Sequence, residues 1–201
     1  MRNPLIITIG REYGSGGRQI GELVAKTLGI AYYDKQLITL AAQNSGLSDE
    51  FIANNEQRVR SGFMQNLAAS AAYSSGFFSS QYLPLSESIF ISEAQVIRDI
   101  AAKESAVIVG RCADYILQDK AKCLKVFIHA DMSFRAKRIV EVYGEREQSP
   151  EQRLRDKDKR RAAYHRFYTN MKWGYAENYH LTLDSGELGI DKCVDIIAGL
   201  Y

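Results

Sequence analysis

A glycine-rich segment follows the first apolar run of the sequence, and it has the composition of a phosphate-binding loop. The segment reads LIITIGREYGSGGRQIG, so a short apolar strand gives way to glycines and then to a stretch of helical pattern. Glycines allow consecutive N–H groups to curl around an anion, and the dipole of the following helix favours phosphate. The residues expected to hold the phosphates of a nucleotide are Gly14, Ser15, Gly16, Gly17, Arg18 and Gln19.

The loop departs from the usual nucleotide-binding pattern at its most characteristic position. That pattern ends in Gly-Lys-Ser/Thr, whose lysine binds the β and γ phosphates and whose hydroxyl binds Mg²⁺. Here Gly16 is followed by Gly17 and Arg18, and the nearest hydroxyl is that of Ser15. Arg18 is expected to supply the missing positive charge, because a guanidinium grips phosphate oxygens in a bidentate manner. Arg11, at the entrance of the loop, is a second candidate.

Charged residues also follow two other apolar runs, where strands of a parallel sheet would end. VIVGRCAD places Arg111 and Asp114 after one run, and AYYDKQL places Asp34 and Lys35 after another. Ligands of doubly wound sheets bind outside the carboxyl ends of the strands. We therefore expect these four residues to bind the acceptor substrate, with a guanidinium on a phosphate. A strand-end ion pair at Arg111 and a helix N-cap at Asp34 remain as alternatives.

A basic segment lies in the second half of the chain. Residues 135–172 contain 12 of the 26 Lys and Arg residues, against six carboxylates. Ser149 and Pro150 predict the start of a helix within it. Residues that share a face of this helix are Asp158, Arg161 and His165 on one side and Arg153, Lys157 and Arg160 on another. Both a solvated helix face and a basic lid over a phosphate-transfer site, about residues 143–170, fit this pattern.

Short apolar runs alternate with longer segments of helical period, which is the pattern of a doubly wound α/β protein. The predicted strands cover residues 5–9, 30–33, 106–109, 125–130 and 180–183. The predicted helices cover residues 18–28, 35–43, 87–103, 134–142, 151–168 and 191–200. The strand candidates are almost continuously apolar, as expected for parallel strands that are covered on both faces.

Length and composition narrow the class of protein further. A chain of 201 residues, 46% of them hydrophobic, favours a single domain, residues 1–201, with residues 45–87 as an insertion. The net charge of +2 gives no argument for a nucleic-acid partner. The three cysteines follow no metal-binding pattern and are expected to be reduced, and the apolar runs are too short for a membrane span. We therefore expect a cytoplasmic protein, and the sequence leaves its oligomeric state open.

The sequence resembles the cytidylate kinase-like proteins, a branch of the P-loop nucleoside monophosphate kinases. The stretches that carry the resemblance are ITIGREYGSGGRQIGELVAKTLGIAYYDKQLI, VIVGRCADYIL, KVFIHADMSFRAKRI and DKDKRRAAYHRFYTNMKWGYAENYHLTLDSGELGID. The resemblance implies a P-loop NTPase-type fold, with a five-stranded parallel sheet, a helical substrate-binding insertion and a basic lid. It also implies that ATP and Mg²⁺ are used, that small nucleotides are the substrates and that the loop cradles the donor phosphates.

The same resemblance implies several site roles. Arg111 falls where the arginine of cytidylate kinases grips the acceptor monophosphate. Asp158 and Arg161 fall on the D-x-x-R of the lid-side helix, and together with Arg18 they are the expected catalytic residues. Arg153 and Arg160 are further candidates for substrate binding.

The acceptor segment departs from the family pattern. Cytidylate kinases carry a serine and, five residues later, an arginine, and here these places hold Lys35 and Leu40. The expected activity is transfer of the γ-phosphate of ATP to a nucleoside monophosphate, CMP or dCMP first. A kinase for another small metabolite is the alternative that Lys35 and Leu40 suggest. A nucleotide-binding regulatory protein with little turnover is the alternative that the missing lysine suggests.

Overall fold

The computed structural model describes residues 4–34, 85–144 and 149–201. The chain divides into two compact units, residues 1–34 with 98–201 and residues 35–97. The predicted helix at residues 35–43, and the predicted insertion up to residue 84, lie outside the described residues. Within the second unit, the described residues 85–97 are helical. The sheet and the site residues whose positions are described below belong to the first unit.

The elements alternate between strand and helix, as the sequence predicts. The strands are β1 (Ile6–Arg11), β2 (Ala31–Tyr33), β3 (Ala106–Val109), β4 (Cys123–His129) and β5 (Leu181–Asp184). The helices in the described part of the chain are α1 (Gly17–Leu28), α2 (Leu85–Lys103), α3 (Ala113–Ile116), α4 (Met132–Glu141), α5 (Pro150–Thr169), α6 (Ser185–Leu188) and α7 (Ile190–Gly199), and a 3-10 turn covers Ala176–Asn178.

The five strands form one parallel sheet in the order β2-β3-β1-β4-β5. From β1 the chain runs towards the edge of the sheet that β2 forms, whereas from β3 it runs in the opposite direction, to β4. The neighbouring strands β1 and β3 therefore send their connections in opposite directions, and this creates a crevice at their carboxyl ends. Such a crevice is where ligands of doubly wound sheets bind. The predicted five-stranded parallel sheet is confirmed.

The main core lies between the sheet and the helices α1 and α7. Alternate residues of the central strands, such as Ile7, Ile9 and Ile128, are buried against Ile20 of α1 and Ile197 of α7. These side chains have almost no solvent exposure, which is the condition for a large hydrophobic contribution to stability, about 1.5–3 kcal/mol for each such residue. The core fixes β1 and the start of α1, and hence both ends of the loop that joins them.

Local sequence signals begin and end the helices around this edge. Asp131 caps α4, because its carboxylate accepts hydrogen bonds from the N–H groups of Ser133 and Phe134. The hydrogen bond from the Ser133 hydroxyl, together with those from the two N–H groups, lowers the pKa of the Asp131 carboxyl group. Pro150 begins α5, and Gly29 ends α1 in a left-handed conformation.

The structure extends the sequence-based elements in places where the apolar pattern is weak. β1 runs on to Arg11, past the expected end at residue 9, because its last residues still pair with β4. The four-residue helices α3 and α6 were not expected, since four residues are too few for a helical period to be recognised. None of the helices in the described part of the chain combines the length and apolar composition that a membrane crossing requires.

Candidate phosphate-binding site

The loop between β1 and α1 has the backbone of an anion cradle. Gly14 and Gly16 adopt φ angles of +80° and +78°, which only glycine adopts without strain. Residues 14–17 are buried, and Gly16 directly precedes the first turn of α1. That turn, residues 17–20, contains no acidic side chain, so its N-terminal dipole is not neutralised from within the helix. The loop therefore provides N–H groups and a positive dipole at one place.

Two serines fix the loop to the sheet beneath it. Ser15 has 0% exposure, and its hydroxyl lies 2.9 Å from the carbonyl oxygen of Glu12 and 3.2 Å from that of Ile128. The hydroxyl of Ser185, also fully buried, donates to the carbonyl oxygen of Ser15 at 2.6 Å. The Ser15 side chain thus faces the sheet, and its contacts indicate a role in shaping the loop.

A second set of contacts fixes the loop from the side of α4 and α5. The carboxylate of Asp158 accepts the backbone N–H of Tyr13 at 2.7 Å and the Nη1 of Arg135 at 2.5 Å. Arg135 Nη1 also donates to the Tyr13 carbonyl oxygen at 3.2 Å, and its Nε lies 3.4 Å from Glu12 Oε2. Burial raises the pKa of Glu12, although Arg135 opposes this shift. Two consecutive helices, both far along the chain from the turn after β1, therefore hold that turn in place.

Arg161 of α5 extends the same set of contacts to the end of β1. Its Nη1 donates to the carbonyl oxygen of Arg11 at 3.1 Å, and its guanidinium lies 5.0 Å from the centre of the Tyr13 ring. Lys157 lies 5.6 Å from the same ring. Asp158 and Arg161 thus share a helix face that contacts the loop, as the i, i+3 spacing predicts.

Arginine side chains converge on one carboxylate at the crevice between β1 and β3. Asp34, which follows β2, lies 3.7 Å from Arg11 Nη2 and 3.2 Å from Arg18 Nε. Burial lowers the pKa of Arg11; Asp34 opposes this shift, and the nearby charge of Arg111 adds to it. Arg11 and Arg18 therefore share Asp34, and the charge of Arg111 acts on Arg11, so three guanidinium groups face one carboxylate at this edge and leave a positive site for an anion.

The turn after β3 carries backbone strain. Gly110, Arg111 and Cys112 have φ angles of +84°, +58° and +55°. Two consecutive non-glycine residues in the left-handed region are uncommon and cost about 1–2 kcal/mol each. The guanidinium of Arg11 packs against Gly110 so closely that a Cβ there would overlap Nη1. The turn thus places Arg111 beside Arg11 at the expense of local strain.

A buried hydrogen bond links this turn to α5. Asp114, in α3, accepts a hydrogen bond from His165 Nε2 at 2.9 Å, and both side chains are buried. Thr169, also buried, lies 3.2 Å from the other ring nitrogen of His165. His165 therefore lies on the same helix face as Asp158 and Arg161, as predicted. The pair holds the turn after β3 much as Asp158 holds the turn after β1.

The other predicted site residues lie at or beyond the margin of this cluster. Gln19 accepts a hydrogen bond from Arg138 of α4. Arg160 is exposed on α5, and Arg153 is partly buried there. Lys35 lies outside the described residues. The sequence analysis missed Arg135 and Arg138, although their spacing of three residues on a helix after a strand was a usable signal.

A cavity of about 500 Å³ opens at the carboxyl ends of β4 and β5. Its lining residues are Glu12, Phe127, His129, Ala130, Asp131, Trp173, Gly174, Ala176, Thr182 and Asp184. Three carboxylates line it against one histidine, so its charge does not suit a phosphate group. The guanidinium groups at the crevice between β1 and β3, by contrast, have a charge that suits a phosphate group. Among the residues described, no group of His, Cys, Asp and Glu side chains is arranged to hold a metal ion.

The order of the strands and the glycine loop are those of a P-loop fold. The comparisons that follow show that the protein is a P-loop kinase. The fold is similar to that of a shikimate kinase from Acinetobacter baumannii in complex with shikimate, with 17% identity, 99% and 93% of the two chains covered and a TM-score of 0.54. It is also similar to a gluconokinase from Sinorhizobium meliloti 1021, with 14% identity, coverage of 100% and 95% and a TM-score of 0.54.

The chain belongs to the cytidylate kinase-like family, whose model matches residues 6–187. A crystal structure of an uncharacterized protein from Eubacterium ventriosum ATCC 27560 is 28% identical, with 98% and 97% of the two chains covered and a TM-score of 0.70. No curated protein matches the sequence at a significant level. The family and the fold support a kinase that acts on a small molecule, and they do not specify CMP.

Proposed function

We propose that this protein uses ATP to phosphorylate a nucleoside monophosphate, with CMP and dCMP as the first acceptors to test. The observation that carries the proposal is the pairing of Arg11 and Arg18 with Asp34 beside the buried glycine loop, with the charge of Arg111 acting on Arg11. Phosphoryl transfer depends mostly on positioning and on neutralising the charge of phosphate oxygens. A loop of N–H groups next to several guanidinium groups supplies both.

Each part of the site has a distinct role in this proposal. The N–H groups of residues 14–19 bind the β and γ phosphates of ATP, and a guanidinium replaces the missing lysine. Arg111 binds the phosphate of the acceptor. An oxygen of that phosphate attacks the γ phosphorus in line with the leaving oxygen. No strong general base is required, since this oxygen is already ionised at neutral pH.

The contacts of α5 support positioning roles for Asp158 and Arg161, two of the three residues that were expected to be catalytic. Asp158 accepts the N–H of Tyr13 and pairs with Arg135, and Arg161 binds the carbonyl oxygen of Arg11. Asp158 therefore holds the loop in shape. Arg161, partly exposed beside the Tyr13 ring, supports the end of β1 through the Arg11 carbonyl oxygen.

The described residues do not fit a protein-held Mg²⁺. The Ser/Thr position of the loop pattern is occupied by Arg18, which has no oxygen ligand, and the Ser15 hydroxyl is buried against backbone carbonyl oxygens. Asp34, the carboxylate at the crevice, is paired with two arginines. We therefore assign no step of the transfer to a metal bound by these side chains.

A kinase for a different small metabolite is the second candidate. Two observations favour it: Lys35 and Leu40 replace the acceptor residues of cytidylate kinases, and the fold is shared with shikimate kinase and gluconokinase. A nucleotide-binding regulatory protein is the third candidate, because Gly17 stands at the lysine position.

Transfer from γ-labelled ATP with Mg²⁺, measured against a panel of acceptors, separates the three candidates. The panel holds CMP, dCMP, UMP, AMP, GMP and several phosphorylated and unphosphorylated small metabolites. We expect rapid transfer to one monophosphate, with an acceptor KM that Arg111→Ala raises at least tenfold. Transfer only to another metabolite would favour the second candidate. ATP binding without transfer to any acceptor would favour the third.

A further inference from the structure

Two positions of the phosphate-binding loop have exchanged residue types relative to the standard pattern. That pattern is G-x-x-x-x-G-K, with glycine first and lysine seventh. In this chain the same seven positions read REYGSGG, so that Arg11 takes the place of the first glycine and Gly17 that of the lysine. Relative to the standard pattern, the cationic residue lies at the end of the strand instead of the start of the helix, and a glycine lies at the start of the helix instead of the end of the strand.

The structure shows that these two positions are in contact. A Cβ on Gly17 would lie 2.5 Å from the Cβ of Arg11 and 3.1 Å from its Cγ. Gly17 belongs to α1 and has no positive φ, so its backbone would accept any L-amino acid. The main obstacle to a side chain at residue 17 is therefore Arg11, and the Cβ of Ile128 at 3.3 Å is a lesser one. One of the two positions can carry a long side chain only if the other is small.

We propose that Arg11 is the phosphate-binding cation of this loop and acts in place of the lysine. The inference rests on one part of the proposed function, the binding of ATP phosphates by this loop. It differs from the sequence-based expectation, in which Arg18 has this role. Arg11 extends from the last position of β1, and its stem covers the first residue of α1, where the lysine stem would begin.

The surroundings of Arg11 suit this task. Its side chain is 20% exposed, so its charge is screened little by water. Its Nη2 lies 3.7 Å from Asp34, which is beyond hydrogen-bond distance and leaves donors for an incoming phosphate. Its main chain is fixed on both sides, by pairing with Ile128 of β4 and by the hydrogen bond from Arg161. A preorganised donor of this kind stabilises developing charge most effectively.

Arg18 has a different environment. Its side chain is 55% exposed, and its Nε lies closer to Asp34, at 3.2 Å. Because solvent screens an exposed charge, Arg18 contributes less to a phosphate than a buried cation does. Its contact with Asp34 instead holds that carboxylate at the edge of the site. Arg18 thus serves as a matched control for Arg11, with the same side chain and the same carboxylate partner.

The first experiment compares Arg11→Met with Arg18→Met. We expect Arg11→Met to lower kcat/KM for ATP by about 100-fold or more, the effect of removing one preorganised donor. We expect Arg18→Met to lower it by less than about tenfold, as for a solvent-screened charge. Arg11→Lys should recover part of the loss, since it keeps the charge. An equal or larger loss in Arg18→Met would overturn the proposal.

The second experiment reverses the exchange. Gly17→Lys alone should lower the melting temperature and the activity, because its Cβ would collide with Arg11. Arg11→Gly/Gly17→Lys restores the standard pattern, and we expect it to be at least tenfold more active than Arg11→Gly. Both variants carry glycine at residue 11, so the comparison isolates the cation at residue 17. A double variant no more active than Arg11→Gly, yet equally stable, would count against a shared place for the two side chains.

Binding measurements separate this inference from the proposed function. Calorimetric titration with ATP and with inorganic tripolyphosphate reports phosphate binding whether or not any acceptor is phosphorylated. If the wild-type protein binds both but transfers to no acceptor, the kinase proposal fails; the Arg11 proposal then stands if Arg11→Met weakens both affinities more than Arg18→Met does. It fails if the order is reversed or the two are equal. A wild-type protein that binds neither probe would overturn both.

Discussion

The two turns that flank the crevice both require residues with positive φ angles, but they place different residue types at those positions. The turn after β1 places its positive φ angles at Gly14 and Gly16, where no side chain is strained. The turn after β3 uses one glycine and then imposes positive φ on Arg111 and Cys112. The first turn presents backbone N–H groups, so side chains are dispensable there. The second presents a guanidinium, so the strained residue has to keep its side chain.

Helix α5 supports both turns through buried polar contacts. It holds the first through Asp158, which binds Tyr13 and Arg135, and the second through His165, which binds Asp114. Such contacts are costly to leave incomplete, since a buried charge without its partner is destabilising. One face of α5 therefore contacts both turns and sets the spacing between them.

The largest effect is expected from Asp158→Ala. The change removes the acceptor for the Tyr13 N–H and leaves Arg135 without its closest carboxylate, which we expect to lower the free energy of unfolding by about 3 kcal/mol. ATP affinity should fall as well, because the first turn loses its shape. Urea denaturation and ATP titration measure the two effects. Asp158→Asn is the control, since it keeps an acceptor for Tyr13 and removes only the charge. Unchanged ATP affinity in Asp158→Ala would show that the loop does not depend on α5.

His165→Ala should act on the second turn. It removes the His165 hydrogen bond of the buried Asp114 carboxylate, which also interacts with Tyr179, and we expect a loss of about 2 kcal/mol in unfolding free energy. We expect the acceptor KM to rise and ATP affinity to stay within about twofold, because the Asp158 contacts remain. His180→Ala is the control: it removes an exposed histidine just before β5, whose Nδ1 accepts the Lys125 N–H, and it should change neither the acceptor KM nor the ATP affinity. A loss of ATP affinity equal to the change in acceptor KM would mean that the two turns are not supported separately.

Gly14→Ala tests the need for glycine in the first turn. A Cβ there would meet the Arg135 carbonyl oxygen at 3.0 Å in addition to the strain of positive φ, and we expect a cost of about 2 kcal/mol. Gly29→Ala has a positive φ too, but no atom lies within 4 Å of its Cβ, so about 1 kcal/mol is expected. Thermal unfolding compares the pair. Only Gly14→Ala should weaken ATP binding, and equal costs would mean that the packing of α4 on the loop is unimportant.

Arg111→Gly and Arg111→Ala test the backbone strain in the turn after β3. Both remove the guanidinium, so both should raise the acceptor KM, while ATP affinity stays nearly unchanged. Glycine relieves the strain at φ +58° that alanine retains, so we expect Arg111→Gly to be the more stable by about 1 kcal/mol. Denaturation of the two variants measures this difference in stability directly, because both have lost the arginine side chain and the effect of its lost contacts cancels. Equal stabilities would indicate that the turn relaxes when the arginine is removed.

Much of the fold is contained in the sequence, because strands covered on both faces and helices with one buried face leave clear periodic patterns. The apolar runs ending near Ile9 and Val109 and the glycines at 14 and 16 were enough to predict a parallel sheet with a phosphate loop at its edge. The spacing of Asp158, Arg161 and His165 was enough to predict a shared helix face. These features are local, so neighbouring residues determine them.

Contacts between distant segments were decided by the tertiary structure. The sequence gives no reason for Tyr13 to bind Asp158, for Ser15 to bind Ser185 or for Asp114 to meet His165, because each pair joins segments separated by other strands and helices. The choice between Arg11 and Arg18 is of the same kind. In sequence both are arginines beside a glycine loop; only the packing of Arg11 over Gly17 and Gly110 distinguishes them, since burial and the direction of a side chain are set by the folded surroundings.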